Sequence, residues 1–200
     1  MLNVLLSKAG YDYILSEFLF KGFKYGFHIG HNAIDGLNSD NTYQQKFNKL
    51  FISAKLEKEI ELGRTAGPFV SPPFDFYHLS PIFLVPKPLP GDFRLILDLS
   101  FPKNSDCINA HIDDSMKTVT YSNVRQAIKL LCNSPFGSFS AKVDIKDAFR
   151  LIPIHPEDFH KLCFKFDNKF YFEKVLPQGC ASSCFIFESF STAVTALRSN

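Results

Sequence analysis

The chain has 200 residues, is 46% hydrophobic and carries a formal net charge of +2. That is enough for the core of one domain or one and a half, and too little charge for a strong overall field that gathers nucleic acid. Five Cys at 107, 132, 163, 180 and 184 form no CxxC pair, which excludes a zinc ribbon and points to reduced thiols in an intracellular, not secreted, protein. No run approaches the ~20 apolar residues of a membrane helix. Met1 to Ser16 lacks the basic n-region and small-residue cleavage site of a signal peptide. The 23 Phe against no Trp carry no functional message.

In chain order, residues 1–30 read as a packing arm with turns, aromatic and interrupted at Gly22, Gly26 and Gly30. Lys21, Lys24 and His28 rule out a membrane pairing face there. Residues 31–42 are rich in Asn, Asp, Gly and Ser and form a loop or linker. A helix is predicted over 43–62, with Phe47, Leu50, Phe51 and Ala54 on its apolar face and Gly63 ending it. Gly67-Pro68 and Pro72-Pro73 impose extended chain. Strands at 81–85 and 93–99 flank the turn Pro88-Leu89-Pro90-Gly91-Asp92 and make a hairpin. The stretch 100–120 is polar and loop-like. Ser122 is placed to cap a helix through Cys132 whose face is Val124, Ala127, Ile128 and Leu131.

A strand follows over 139–145, and a second hairpin over 162–166 and 170–175 around Asp167-Asn168. Ser182 or Ser183 caps a last helix with Ile186, Phe190, Ala193, Val194 and Leu197 on one face. Helices and mostly antiparallel strands interleave without a βαβ repeat, so the expected class is α+β.

Two segments can carry chemistry. Lys142-Val143-Asp144-Ile145-Lys146-Asp147-Ala148-Phe149 delivers a carboxylate at a strand end, rigid enough to fix a metal ligand. Leu176-Pro177-Gln178-Gly179 is a turn opening a helix, and its backbone can cradle a nucleotide. By itself Asp144 would be read as a cap or turn residue, and Phe149 as a core aromatic. Asp113-Asp114, the one Asp pair, follows His111-Ile112 and reads as a solvated loop. His155 and His160, separated by Pro156, make a poor ligand pair; His155 packs or caps.

In this order and spacing the two segments resemble motifs A and B of a reverse transcriptase. The resemblance extends over nearly the whole chain and is to the DIRS type of retrotransposon. It rests also on Gly22-Phe23-Lys24-Tyr25-Gly26-Phe27-His28-Ile29-Gly30, on Leu56 to Phe69 with Lys58-Glu59 and Gly63-Arg64-Thr65-Ala66-Gly67-Pro68-Phe69, on Ser71-Pro72-Pro73-Phe74, on Ser80-Pro81-Ile82 and on Phe93-Arg94-Leu95-Ile96-Leu97-Asp98-Leu99-Ser100-Phe101-Pro102.

The resemblance implies the fingers and part of the palm of a right-hand polymerase, with 1–42 as N-terminal arm and linker and 43–200 as a partial reverse transcriptase domain. Asp144 would be a catalytic, metal-binding aspartate aided by the Ile145 carbonyl, with two Mg²⁺ in the intact enzyme. The Asp147 and Ala148 amides would hold the triphosphate, and Phe149 would gate the sugar. Lys87 and Arg94 would clamp phosphate; Gln178 and Gly179 would lie beside nucleotide and template. Read without the resemblance, Lys87 and Arg94 are solvated hairpin charges. The implied partners are an RNA or DNA template with primer and deoxynucleotides, and no membrane. Cys184 stands where Pro follows the motif B Ser, here Ser183. The Tyr-x-Asp-Asp motif is missing from these residues. The expectation is therefore a domain truncated before the third catalytic motif and the thumb, inactive by itself. The alternative is a non-catalytic remnant of a decayed element, at most a weak nucleic-acid binder.

Overall fold

The computed structural model describes residues 6, 10, 12–32, 39–40, 49–88, 91–103, 107–121, 123–141 and 144–198. Helix α1 (Tyr13–Tyr25) starts where the Asp12 carboxylate accepts the Leu15 amide at 2.9 Å. It ends at Gly26, whose φ of 98° and contact with the His155 backbone leave no room for a side chain. Phe27 then pairs with Ile154, and Phe27 and Ile29 are buried. The arm thus shares the core of the rest of the chain.

Helix α2 (Lys49–Glu61) buries Ile52, Leu56 and Glu59. This rotates the helix away from the predicted face: Leu50 is 80% exposed and Ala54 is exposed, while Phe47 lies outside the described residues. Hydrophobicity by itself could not place the carboxylate of Glu59 on the core side; its buried cationic partners do.

Among the described residues, five strands make one sheet in the order β1 (Ser39–Asp40), β3 (His78–Leu79), β6 (Cys163–Phe166), β7 (Lys169–Glu173), β2 (Thr65–Phe69). The β6–β7 turn uses Asp167 and Asn168 at φ 49° and 58°, the left-handed pair that suits a tight hairpin. A separate antiparallel hairpin joins β4 (Ile82–Pro86) to β5 (Phe93–Leu97), from Ile82 opposite Leu97 to Pro86 opposite Phe93. Both hairpins match the sequence reading within two residues; Pro88 to Asp92 is described only at 88, 91 and 92. The polar stretch 100–120 holds two short 3₁₀ turns, Ile108–His111 and Asp114–Met116, and buries Cys107, Ile108 and Ile112.

Helix α3 (Val124–Asn133) is capped by Asn123 in a reciprocal box with Gln126. The expected cap Ser122 lies outside the described residues. Residues 139–141 and 144–145 form no strand, and 142–143 lie outside the described residues. Among the described residues no neighbour offers that segment a ladder of hydrogen bonds, and Phe139 is fully exposed.

Helix α4 (Ser183–Arg198) packs on α1 through Phe18–Phe185 and Phe23–Phe190, at centroid distances of 6.0 and 5.4 Å. The arm therefore covers Ile186 and Ala193, which are buried, and partly covers Phe190. Among the described residues, α3 exposes Val124, Ile128, Leu130 and Leu131 together with Phe136 and Phe139 beyond it.

These six large apolar side chains, close in sequence and exposed, are the kind of surface that marks an interaction site or favours association. The 200-residue chain should therefore self-associate with rising concentration, and I128E/L131E should reduce that. Sedimentation velocity checks it; a wild-type monomer at every concentration would contradict the expectation.

Candidate nucleotide-binding cleft

A cleft of about 530 Å³ opens between the β4–β5 hairpin, the segment 144–150 and the turn before α4. It gathers most of the residues singled out in the sequence. Lys87 and Arg94 lie on the hairpin side, Asp144 to Phe149 on the facing side, and Gln178 at the end. Gly179 lies outside the lining. Its φ is 121°, and a Cβ there would run into the Leu97 carbonyl oxygen, so only glycine fits against β5.

The turn holding Gln178 and Gly179 is fixed from three sides. Gln178 O accepts the Leu97 amide at 3.1 Å. Ser183 Oγ donates to the Pro177 carbonyl at 2.9 Å, so this hydroxyl closes the turn rather than capping α4. Asn109 Nδ2 donates to Gly179 O at 2.8 Å, and Asn109 Oδ1 accepts the Ala181 amide at 2.9 Å. Sequence reading missed Asn109 because a single Asn in a polar loop carries no pattern.

Asp144 is exposed on the cleft wall. Four acidic residues line the cleft: Glu59, Asp144, Asp147 and Glu173. Three are engaged by arginine; among the described residues Asp144 has no ion-pair partner. Carboxylate and carbonyl oxygens are the donors that hard divalent cations take, so Asp144 is the cleft residue that could hold one.

Phe149 lines the cleft and packs edge-on against Phe187, with centroids 5.6 Å apart. Lys87 Nζ is held at 2.7 Å by Asp92 across the hairpin turn, and this contact lowers the Asp92 pKa. Arg94 is exposed and, among the described residues, has no ion-pair partner. One cation is thus pre-oriented and the other free to swing.

Along one side of the cleft lies a charged cluster that sequence reading did not foresee. Arg150 Nε and Nη2 donate to Glu59 Oε2 at 3.1 and 2.8 Å, and Nη2 also reaches Glu173 Oε2 at 2.7 Å. Thr65 Oγ1 donates to Glu173 at 3.1 Å. Burial opposes the Arg150 charge, yet Glu173 and Glu59 outweigh it and hold the guanidinium pKa above its ordinary value. Burial pushes the Glu173 carboxyl up, opposed by Arg150 and Thr65. Outside the cleft, Asp113 and Asp114 behave as loop residues: Asp113 accepts the Ser115 amide at 2.8 Å and Asp114 pairs with Lys117 at 2.9 Å.

No family model and no curated protein sequence matches the chain. Solved structures do. Native prototype foamy virus protease-reverse transcriptase aligns over 82% of this chain at 20% identity and a TM-score of 0.57. The dRH form of the foamy viral protease-reverse transcriptase, in complex with double-stranded DNA, aligns over 94% at 18% identity and a TM-score of 0.61. A further foamy viral protease-reverse transcriptase structure with double-stranded DNA aligns over 94% at 18% identity and 0.53.

The fold is reverse-transcriptase-like.

The chain spans 20%, 33% and 40% of those three proteins. The reverse-transcriptase-like fold brings the two sequence motifs to one cleft although some thirty residues separate them. No helix among the described residues is long and apolar enough to cross a membrane.

Proposed function

We propose that this chain is the fingers and the start of the palm of an RNA-directed DNA polymerase of the DIRS retrotransposon type, and that the cleft receives a deoxynucleoside triphosphate on a primed template. The observation that carries this reading is the convergence of Lys87, Arg94, Asp144, Phe149 and Gln178 on one cleft. Asp144 and the Ile145 carbonyl would hold Mg²⁺. Bound there, the metal supplies charge neutralisation at the attacking and leaving oxygens of phosphoryl transfer.

The protein's own groups do the rest. Lys87 contributes a point charge and Arg94 a planar fork for phosphate oxygens. The backbone of Asp147 and Ala148 holds the triphosphate from the opposite wall. Phe149, backed by Phe187, presses on the sugar and leaves no room for a 2′-hydroxyl. Gln178 orients base and template at the far end.

Two-metal transfer needs further carboxylates, and these 200 residues contain no Tyr-x-Asp-Asp. Residues 1–200 by themselves should therefore give no templated extension with Mg²⁺ or Mn²⁺. Extension that Asp144→Ala abolishes would overturn that expectation. A C-terminally extended chain that supplies the two missing aspartates, the extended polymerase, should extend a primer.

In the extended polymerase, Phe149→Ala should narrow the preference for deoxynucleotides over ribonucleotides by about tenfold or more, the scale of one steric contact in a pocket. Competing single-nucleotide incorporation measures it. An unchanged sugar preference with activity intact would make Phe149 an ordinary core ring.

A further inference from the structure

We propose that Arg64 is a positioning residue: it turns the Asp147 carboxylate out of the triphosphate path and pins the turn that presents the Asp147 and Ala148 amides. The proposal rests on the nucleotide-binding reading above.

Asp147 sits in the left-handed region at φ 57°, a conformation that Asp tolerates better than most side chains but that needs support. Its amide can face the cleft only while its carboxylate is placed elsewhere. Left free, that carboxylate would stand beside the phosphate path and repel it. Arg64 Nη1 donates to Asp147 Oδ2 at 3.2 Å and removes that repulsion.

Arg64 is itself held. It sits at the Gly63-Arg64-Thr65 turn, where its amide donates to the Glu59 carbonyl at 2.9 Å and its carbonyl accepts the Lys174 amide at 2.8 Å. Its guanidinium lies 3.9 Å from Glu59 Oε1. Glu59 in turn holds Arg150, which belongs to the 3₁₀ turn Ala148–Leu151 and donates its amide to the Asp147 carbonyl at 2.6 Å. The chain of contacts runs Asp147, Arg64, Glu59, Arg150, Glu173, and Lys55 at 3.8 Å from Glu59 brings it to electroneutrality. Both ends of the nucleotide-facing turn are therefore tied to α2 and β7.

A positioning role separates from a structural one in a double variant. In the extended polymerase, R64Q should raise the KM for deoxynucleoside triphosphate about tenfold and leave kcat within about twofold. R64Q/D147N should return KM most of the way, because the freed side chain no longer carries a charge, and R64K should fall between. A double variant no better than R64Q, or a loss in kcat with KM unmoved, would overturn the proposal.

Hydrogen exchange supplies a readout that needs no activity. In the 200-residue chain, R64Q should speed exchange of the Arg150 and Ile152 amides, which donate to the Asp147 and Phe149 carbonyls, about tenfold and leave α4 unchanged. Unchanged exchange at those amides overturns the positioning role. Faster exchange with an inactive extended polymerase upholds the positioning and counts against the polymerase reading.

Discussion

Asp144→Ala in the extended polymerase should cut primer extension by about 10³-fold or more, while the thermal melt stays within about 2 °C of the parent. A metal ligand contributes several kcal/mol of transition-state charge stabilisation, and about 4 kcal/mol corresponds to three orders of magnitude. The melt should hold because Asp144 is exposed and outside any ion pair among the described residues, and such surface substitutions stay within about 0.5 kcal/mol. Substantial extension by the variant, in either Mg²⁺ or Mn²⁺, would remove Asp144 from the chemistry. A large fall in melting temperature would show that its role is structural.

Arg150→Met should do the reverse in the 200-residue chain: a large stability loss. It leaves Glu59 and Glu173 buried, close together and without their shared cation. Removing one partner of a buried ion pair costs about 3–5 kcal/mol, whereas replacing a whole cluster by neutral groups is often close to neutral. The melt should therefore drop by about 10 °C, and R150M/E59Q/E173Q should recover most of the drop. A triple variant less stable than R150M would mean that the glutamates stabilise the fold through other contacts.

Much of the fold was legible because short-range chemistry writes it. Asp167-Asn168 names the tight turn between β6 and β7, and both hairpins appear where alternating apolar runs flank turn residues. The misses are long-range. The buried face of α2 includes Glu59 because Arg150, ninety-one residues away, satisfies it; nothing local announces that pairing. Residues 139–145 carry strand-like composition, but a strand exists only with a partner ladder. The face of α4 is covered by Phe18 and Phe23 of an arm that composition marked only as turns and packing. Within the site, Asp144, Phe149 and Gln178 were legible through motif spacing. Arg64, Asn109 and Arg150 were not, because each acts by holding another residue's backbone or carboxylate.

The proposed function requires Asp144 and its neighbours to meet metal and nucleotide in one cleft. The most direct measurement is paramagnetic broadening of amide signals by Mn²⁺, a stand-in for Mg²⁺, added with a deoxynucleoside triphosphate to the 200-residue chain at low concentration. Broadening should centre on residues 144–149, reach Gln178 and the β4–β5 hairpin at Lys87 and Arg94, and disappear in Asp144→Ala. Broadening centred elsewhere, or unchanged in Asp144→Ala, would contradict the proposed function.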